Sequence, residues 1–400
     1  MLDKIKTLVK KNKFFEGIIY IAFRVAGLFT SLTCLVLRIF PIQHNKIVCC
    51  NMKGRRYGDN PKYIADEILS QNSGYEIVWL MLPEYQDGIP EGIRVAKYSY
   101  FSMLYELATA GIWIDSNTKP YGILKRKGQV FIQTWHGSYG LKKIGGDLKD
   151  SLTRIDRAYL KYSAKIEDLR ISNSRFYSDI YRRAFWYEGD ILECGSPRND
   201  IFFENPPKVR EKVDAYFHTG GKRLAIYAPT YREDFGVEAY RLDFNRLADN
   251  LERRFGGEWA ILVRLHYYNI EEAKQFMTYD DRIMNATDYS VMQELLVACD
   301  VLISDYSSCM FDFITVPKPC FLYATDAEAY KNSRDFYFSL ESLPFPLAHD
   351  NEELEQVILR FDGDQYEKDV RSLFERVGLC ETGQARRKVV EWIGEHTRKI

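Results

Sequence analysis

From Lys46 onward, short apolar, β-branched runs alternate with longer stretches whose apolar residues recur at helical spacing. KIVCC (46–50), EIVWLML (76–82), IRVAKY (93–98), IWID (112–115), VFIQTW (130–135) and LRISNS (169–174) have strand character. PKYIADEILSQ (61–71) has helix character, with Pro61 near its first turn and apolar residues at Ile64, Ile68 and Leu69. After Asn205-Pro206-Pro207 the alternation restarts with RLAIYAPT (223–230), WAILVRLHYY (259–268), RIMNAT (282–287), DVLISDY (300–306) and PCFLYAT (319–325). Helical stretches such as YRLDFNRLADNLERRF (240–255) and YSVMQELLVACD (289–300) lie between them. Strands alternating with helices predict parallel, doubly wound α/β sheets. Two such series predict two Rossmann-like domains, residues 43–205 and 206–400, with room for the last helices to pack back on the first. Ligand is then expected in a cleft where the carboxyl ends of both sheets face each other.

The N-terminus breaks this pattern. Lys4, Lys6, Lys10, Lys11 and Lys13 stand against a single Asp3, and FFEGIIYIAFRVAGLFTSLTCLVLRIFPI follows over residues 14–42. No small-residue cleavage site follows, so a signal peptide does not fit. Gly17–Leu37 is long enough to span a bilayer, but Arg24 lies inside it. Five lysines ahead of a spanning segment would keep the N-terminus inside and send the body outside, an orientation that cannot be right if the body uses a cytoplasmic nucleotide. Residues 1–42 are therefore expected to form a membrane-associating segment, a helix lying in the interface with its cations near lipid phosphates. The bland alternative is a buried core helix.

Length supports the two-domain reading, since 400 residues exceed one compact core. A net charge of −1 creates no global field for nucleic acid, so any anion site must be built locally. The eight cysteines are scattered without CxxC or Cys/His ligand spacing, which argues against a zinc site or a disulfide framework and fits a reducing compartment. No GxxxxGK[ST] and no HExxH occur, and Asp362-Gly363-Asp364 follows no strand. No metal and no cofactor are expected.

Candidate chemistry collects where strands end. VFIQTW runs through Thr134 and Trp135 into His136-Gly137-Ser138, and ILECG (191–195) is followed by Ser196-Pro197-Arg198-Asn199-Asp200. In the second series the ends are Pro229-Thr230-Tyr231-Arg232, Arg264-Leu265-His266 and Asp305-Tyr306-Ser307-Ser308, the last just ahead of CMFDFITV. Singly, each has an ordinary explanation: Ser307-Ser308 an N-cap, each arginine a surface ion pair, His136 a packed histidine donating to a carbonyl. Together they form a set suited to a multiply charged anion such as a diphosphate. His136 stands apart, because a neutral imidazole before a glycine at a strand end suits a general base.

In this order TWHGSYGLKKIG, GSPRNDIFF, YAPTYRED, VRLHYY and SDYSSCMFDF resemble the CDP-glycerol glycerophosphotransferase family of teichoic acid primases and polymerases. KGRRYGDNPKYIADEI (53–68) and SRDFYFSLESL (333–343) resemble its flanking segments. The resemblance implies a GT-B-like fold, peripheral association with the cytoplasmic face of the cell membrane, and transfer of a polyol phosphate from a CDP-polyol donor. The implied acceptor is a lipid-linked polyol phosphate or glycan. His136 resembles the family's base, in a segment with Thr134, Trp135, Gly137 and Ser138; Arg198 matches its PRND arginine. Pro229, Thr230, Arg264, Leu265, His266, Ser307 and Ser308 match donor-contacting segments, and Asp312 matches an aspartate four residues past the serine pair. The chain departs at Tyr139-Gly140, where many members read TWHGTPLK, which alters the local acceptor geometry.

The implied reaction is in-line. His136 takes the acceptor proton, Arg198, Arg264, His266 and the Ser307-Ser308 turn hold the diphosphate, and Asp312 accepts from the ribose hydroxyls. Two alternatives share the pattern: a GT-B glycosyltransferase using a nucleotide-sugar, and a non-catalytic module that binds anionic polymers.

Overall fold

The computed structural model describes residues 13–86, 88–137, 140–232, 241–265, 278–327, 330 and 335–397. The chain divides into two compact units. One comprises Met1–His136, Ile144–Arg198 and Gln384–Ile400; the other comprises Gly137–Lys143 and Asn199–Gly383. The division between Arg198 and Asn199 falls a few residues before the Pro-rich break at 205–207. Asn205 caps the helix Pro206–Phe217, its side chain accepting from the Lys208 amide, and the prolines occupy the first turn, where a missing N–H is harmless.

The first unit carries seven parallel strands: β1 (Gln43–Cys50), β2 (Glu76–Met81), β3 (Ile93–Lys97), β4 (Ala110–Asp115), β5 (Val130–Gln133), β6 (Leu169–Ser172) and β7 (Asp190–Glu193). Their order is β3-β2-β1-β4-β5-β6-β7. The inner strands are covered on both faces, which is why runs such as EIVWLM and VFIQ are continuously buried and not alternating, whereas the edge strands β3 and β7 are partly exposed. On β1, Ile47 and Cys49 enter one core with Ile64 and Ile68 of the helix Asp59–Ser70, while Val48 and Cys50 enter the other with Leu104 and Leu107 of the helix Tyr100–Thr109. The last helix, Ala385–Thr397, returns to this unit. Val389 and Ile393 join the first of those cores, and Arg386 pairs with Glu67 at 3.1 Å.

The second unit carries β8 (Arg223–Tyr227), β9 (Trp259–Val263), β10 (Ile283–Asn285), β11 (Val301–Ser304), β12 (Cys320–Tyr323) and β13 (Leu347–Ala348), parallel and ordered β10-β9-β8-β11-β12-β13. Each sheet therefore has one point where strand order reverses, between β1 and β4 and between β8 and β11. In doubly wound sheets these crevices bind ligands.

Several expected strands end early. VFIQTW stops at Gln133, WAILVRLHYY at Val263 and DVLISDY at Ser304. At the first of these the reason is visible: the Gln133 side chain accepts from the Trp135 amide at 2.9 Å, and Trp135 takes a left-handed backbone, φ 54°.

The N-terminal helix, Lys13–Val36, docks by a narrow stripe. Phe23 meets Tyr121 at 4.4 Å between ring centroids, Ser31 donates to the Gly122 carbonyl at 2.7 Å, and Thr30 bonds the Tyr100 hydroxyl at 2.8 Å. Gly27 is required there, because a Cβ would lie 2.4 Å from the Tyr121 ring. Ile21, Val25, Leu28 and Leu32 are exposed, so this is not a buried core helix.

Candidate functional site

In the first unit the site grows from the carboxyl ends of β4 and β5. Asp115 ends β4, and its buried carboxylate accepts from Lys119 Nζ at 2.5 Å and from the Asn117 amide at 2.8 Å. Burial pushes the Asp115 carboxyl up, and the Lys119 charge opposes that shift. The pair folds residues 115–119 into a tight loop that presents the Ser116 carbonyl to His136. That carbonyl lies 2.9 Å from His136 Nδ1. A carbonyl oxygen only accepts, so Nδ1 carries the proton and Nε2 is left with a lone pair. Trp135 stacks on the imidazole at 4.5 Å and 26°, which fixes the ring plane.

The backbone on either side of His136 is clamped as well. Asn60 Nδ2 donates to the Thr134 and Trp135 carbonyls at 3.3 and 3.4 Å. Arg198, which is buried, donates from Nη1 to the His136 carbonyl at 2.9 Å and to Asp59 at 2.8 Å. Arg198 is thus tied into the loop that holds His136. Thr134 is buried, its hydroxyl donating to the Trp135 carbonyl at 3.0 Å. Gly137 is half-buried next in the chain, and Ser138 lies outside the described residues. A left-handed backbone at a tryptophan costs energy and persists only where its surroundings impose it; here Asn60 and Gln133 impose it.

In the second unit the loops after β8 and β11 meet at the reversal point. Asp305 accepts from the Thr230 amide at 2.8 Å and the Thr230 hydroxyl at 2.7 Å, which joins the Pro229-Thr230 turn to the Asp305–Ser308 turn. Arg232 locks this arrangement from behind, pairing with Asp305 at 2.8 Å and Asp326 at 2.7 Å and lying over the Tyr306 ring. Its charge holds the scaffold together. Ser308 stands at the start of the short helix Cys309–Phe313 but makes no side-chain cap bond, and both Ser307 and Ser308 are half-exposed. The cap bond in this pair comes from Ser307 instead, whose hydroxyl accepts from the Cys309 amide at 3.4 Å. Arg264 donates from Nη1 to the Ala286 and Tyr289 carbonyls at 2.9 and 2.7 Å, while the Leu265 amide donates to Thr287 at 3.2 Å. Asp312 is buried and accepts from Asn199 at 3.1 Å, so one carboxylate oxygen is engaged within the protein. His266 lies outside the described residues. Among the described residues, no cluster of His, Cys, Asp or Glu has the makings of a metal site.

Sequence patterning missed Asp115, Ser116, Lys119 and Asn60, and placed Asp305 at a strand end without giving it a role. Asp115 ends a strand just as the chosen residues do, and the strand-end rule applied evenly would have found it.

Two all-parallel α/β units, each with polar residues collected at the carboxyl ends of its strands, have the GT-B-like architecture. Residues 32–395 match the family model described as CDP-glycerol:poly(glycerophosphate) glycerophosphotransferase. The chain belongs to that family. It is 28% identical to a teichoic acid poly(glycerol phosphate) polymerase of Bacillus spizizenii over 97% of this chain and 99% of that protein. A Staphylococcus aureus teichoic acid glycerol-phosphate transferase is 28% identical over 87% of this chain and 92% of its own. A polymerase of Staphylococcus epidermidis is also 28% identical over 86% of this chain, but the chain spans only 50% of its length. The structure of the wall teichoic acid polymerase TagF superimposes with a TM-score of 0.81 at 26% identity, covering 98% of both chains. A TagF variant soaked with CDPG matches equally well, with a TM-score of 0.81.

Proposed function

We propose that this protein transfers glycerol phosphate from CDP-glycerol to a hydroxyl of a membrane-linked acceptor in teichoic acid-type synthesis, releasing CMP. The observation that carries this reading is the Nδ1 bond of His136 to the Ser116 carbonyl, which leaves Nε2 as a proton acceptor. The acceptor O–H proton passes to Nε2, the oxygen forms a bond to the phosphorus bearing glycerol, and the bond from that phosphorus to CMP breaks. The names of the relatives and the CDPG soak of TagF support the donor. Incubating the full chain with CDP-glycerol, CDP-ribitol and a lipid-linked acceptor tests it: CMP and a new phosphodiester are expected. A nucleoside diphosphate and a glycosidic bond would identify a glycosyltransferase instead.

The two units are assigned separate tasks. Thr230, Arg264, His266, Ser307 and Ser308 hold the donor, while Arg198 and Asn60 hold the base in place. Calorimetry with CDP-glycerol is expected to show weaker binding for Arg264→Ala and Ser308→Ala, by about tenfold if one charge-assisted contact is lost. His136→Ala is expected to bind as wild type. Equal loss in all three would refute the division.

The exposed apolar side of the N-terminal helix is assigned to the lipid surface on the cytoplasmic face. Ile21→Lys with Leu28→Lys removes apolar area from that side without touching the docked residues Phe23, Gly27, Thr30 and Ser31. The double variant is expected to stop sedimenting with lipid vesicles while keeping its melting temperature. Retained sedimentation would place the anchor elsewhere.

A further inference from the structure

We propose that the loop Lys53-Gly54-Arg55-Arg56 is the subsite for a phosphodiester of the acceptor chain. This rests on the acceptor reading above and names where the acceptor's charge is held. The loop leaves the carboxyl end of β1, and β1 is one of the two strands between which the first sheet reverses its order. Its partner across that crevice is the β4 loop bearing Ser116, so the cations lie at the first unit's own ligand position.

The loop is built and not merely a charged turn. The Gly54 and Arg55 amides both donate to the Asn51 carbonyl, at 2.9 and 3.1 Å, and the Gly54 carbonyl accepts from the Leu82 amide at 2.8 Å. Met52, Lys53, Gly54 and Arg56 all have left-handed backbones, φ 44°, 58°, 84° and 62°. At Gly54 a Cβ would lie 2.6 Å from the Tyr98 Cβ, so glycine is obligatory there. Three non-glycine residues in that conformation are costly and are retained where a site requires them.

The loop also shares an anchor with the base. Ser116 Oγ accepts from the Met52 amide at 3.2 Å and donates to Asn51 at 2.9 Å, while the Ser116 carbonyl holds His136 Nδ1 at 2.9 Å. One residue therefore sets the position of both the cationic loop and the proton acceptor. Lys53 is exposed and Arg56 half-exposed, and among the described residues neither pairs with a carboxylate. Cations whose loop shares Ser116 with the residue that takes a proton from a polyol hydroxyl suit an anionic group of that same acceptor. In a polyol phosphate chain the terminal hydroxyl is separated from the nearest phosphodiester by only a few bonds. The guanidinium fork of Arg56 suits that phosphate geometry.

The test uses the full chain carrying Lys53→Gln and Arg56→Gln, a water-soluble glycerol phosphate oligomer as acceptor, and saturating CDP-glycerol. The KM for the oligomer is expected to rise at least about tenfold, with kcat, the KM for CDP-glycerol and the melting temperature unchanged. Arg56→Lys should retain part of the affinity, and added salt should weaken the wild type more than the double variant. An unchanged oligomer KM overturns the proposal. So does an effect confined to sedimentation with phosphatidylglycerol vesicles, which would make the loop a lipid-headgroup contact. If the wild type turns over no acceptor, the parent reading fails. Calorimetric binding of the oligomer to wild type and double variant then decides the subsite by itself, with equal affinity refuting it.

Discussion

His136→Gln is expected to reduce turnover by about 10²- to 10⁴-fold, the usual contribution of a positioned general base. Glutamine can still donate to the Ser116 carbonyl from its amide nitrogen, so the bond that orients the side chain has a replacement. It has no group that accepts a proton at neutral pH. A packed histidine would behave in the opposite way, with stability falling and activity following it. The surroundings of His136 favour the first outcome, since the ring is half-buried and its hydrogen bond to the Ser116 carbonyl is worth only about 1 kcal/mol. Steady-state CMP release measured beside thermal melting separates the two. A glutamine variant that keeps more than roughly a tenth of wild-type turnover would remove His136 from the role of base.

Lys119→Met is expected to be the most destabilising single change near the site. It leaves the buried Asp115 carboxylate without its cation, and breaking a buried pair on one side costs about 3–5 kcal/mol. The penalty depends on pH, and its sign is fixed. Burial already raises the Asp115 pKa, and loss of Lys119 raises it further. The folded variant therefore binds this proton more tightly than the unfolded chain. Its stability is highest below the ordinary carboxylate range and falls as pH rises through the folded pKa. Melting curves should thus show a deficit against wild type that is larger at neutral pH than in mild acid. A deficit independent of pH would show that Asp115 is not the group left exposed by the substitution. Because the same loop presents the Ser116 carbonyl to His136, kcat should fall as well, with the affinity for CDP-glycerol retained.

Much of this molecule was legible from local pattern. Apolar runs such as EIVWL and WAILV are buried on both faces of a parallel sheet, and only continuous hydrophobicity satisfies both faces. The strand-end residues were legible for a related reason: a polar side chain such as Ser307 or His136 placed just past such a run has left the core. What local pattern could not supply was adjacency. β1 and β4 are separated in sequence by two strands and lie side by side in the sheet, and only this pairing brings the Lys53–Arg56 loop and Ser116 to one crevice. The same limit applied to charge. Arg198 and Arg232 are equally cationic in the sequence, yet Asp59 and Asp305 engage them inside the protein. Partners so distant in sequence meet only once the sheets have formed, so an arginine's availability for a phosphate was decided by tertiary structure. So was the local structure at Asn205-Pro206-Pro207, where the break in the strand pattern starts a capped helix. The sequence by itself determined the fold class and the family and singled out His136 at a strand end; the tertiary structure decided which of its ring nitrogens faces the Ser116 carbonyl, because Ser116 comes from a different strand end.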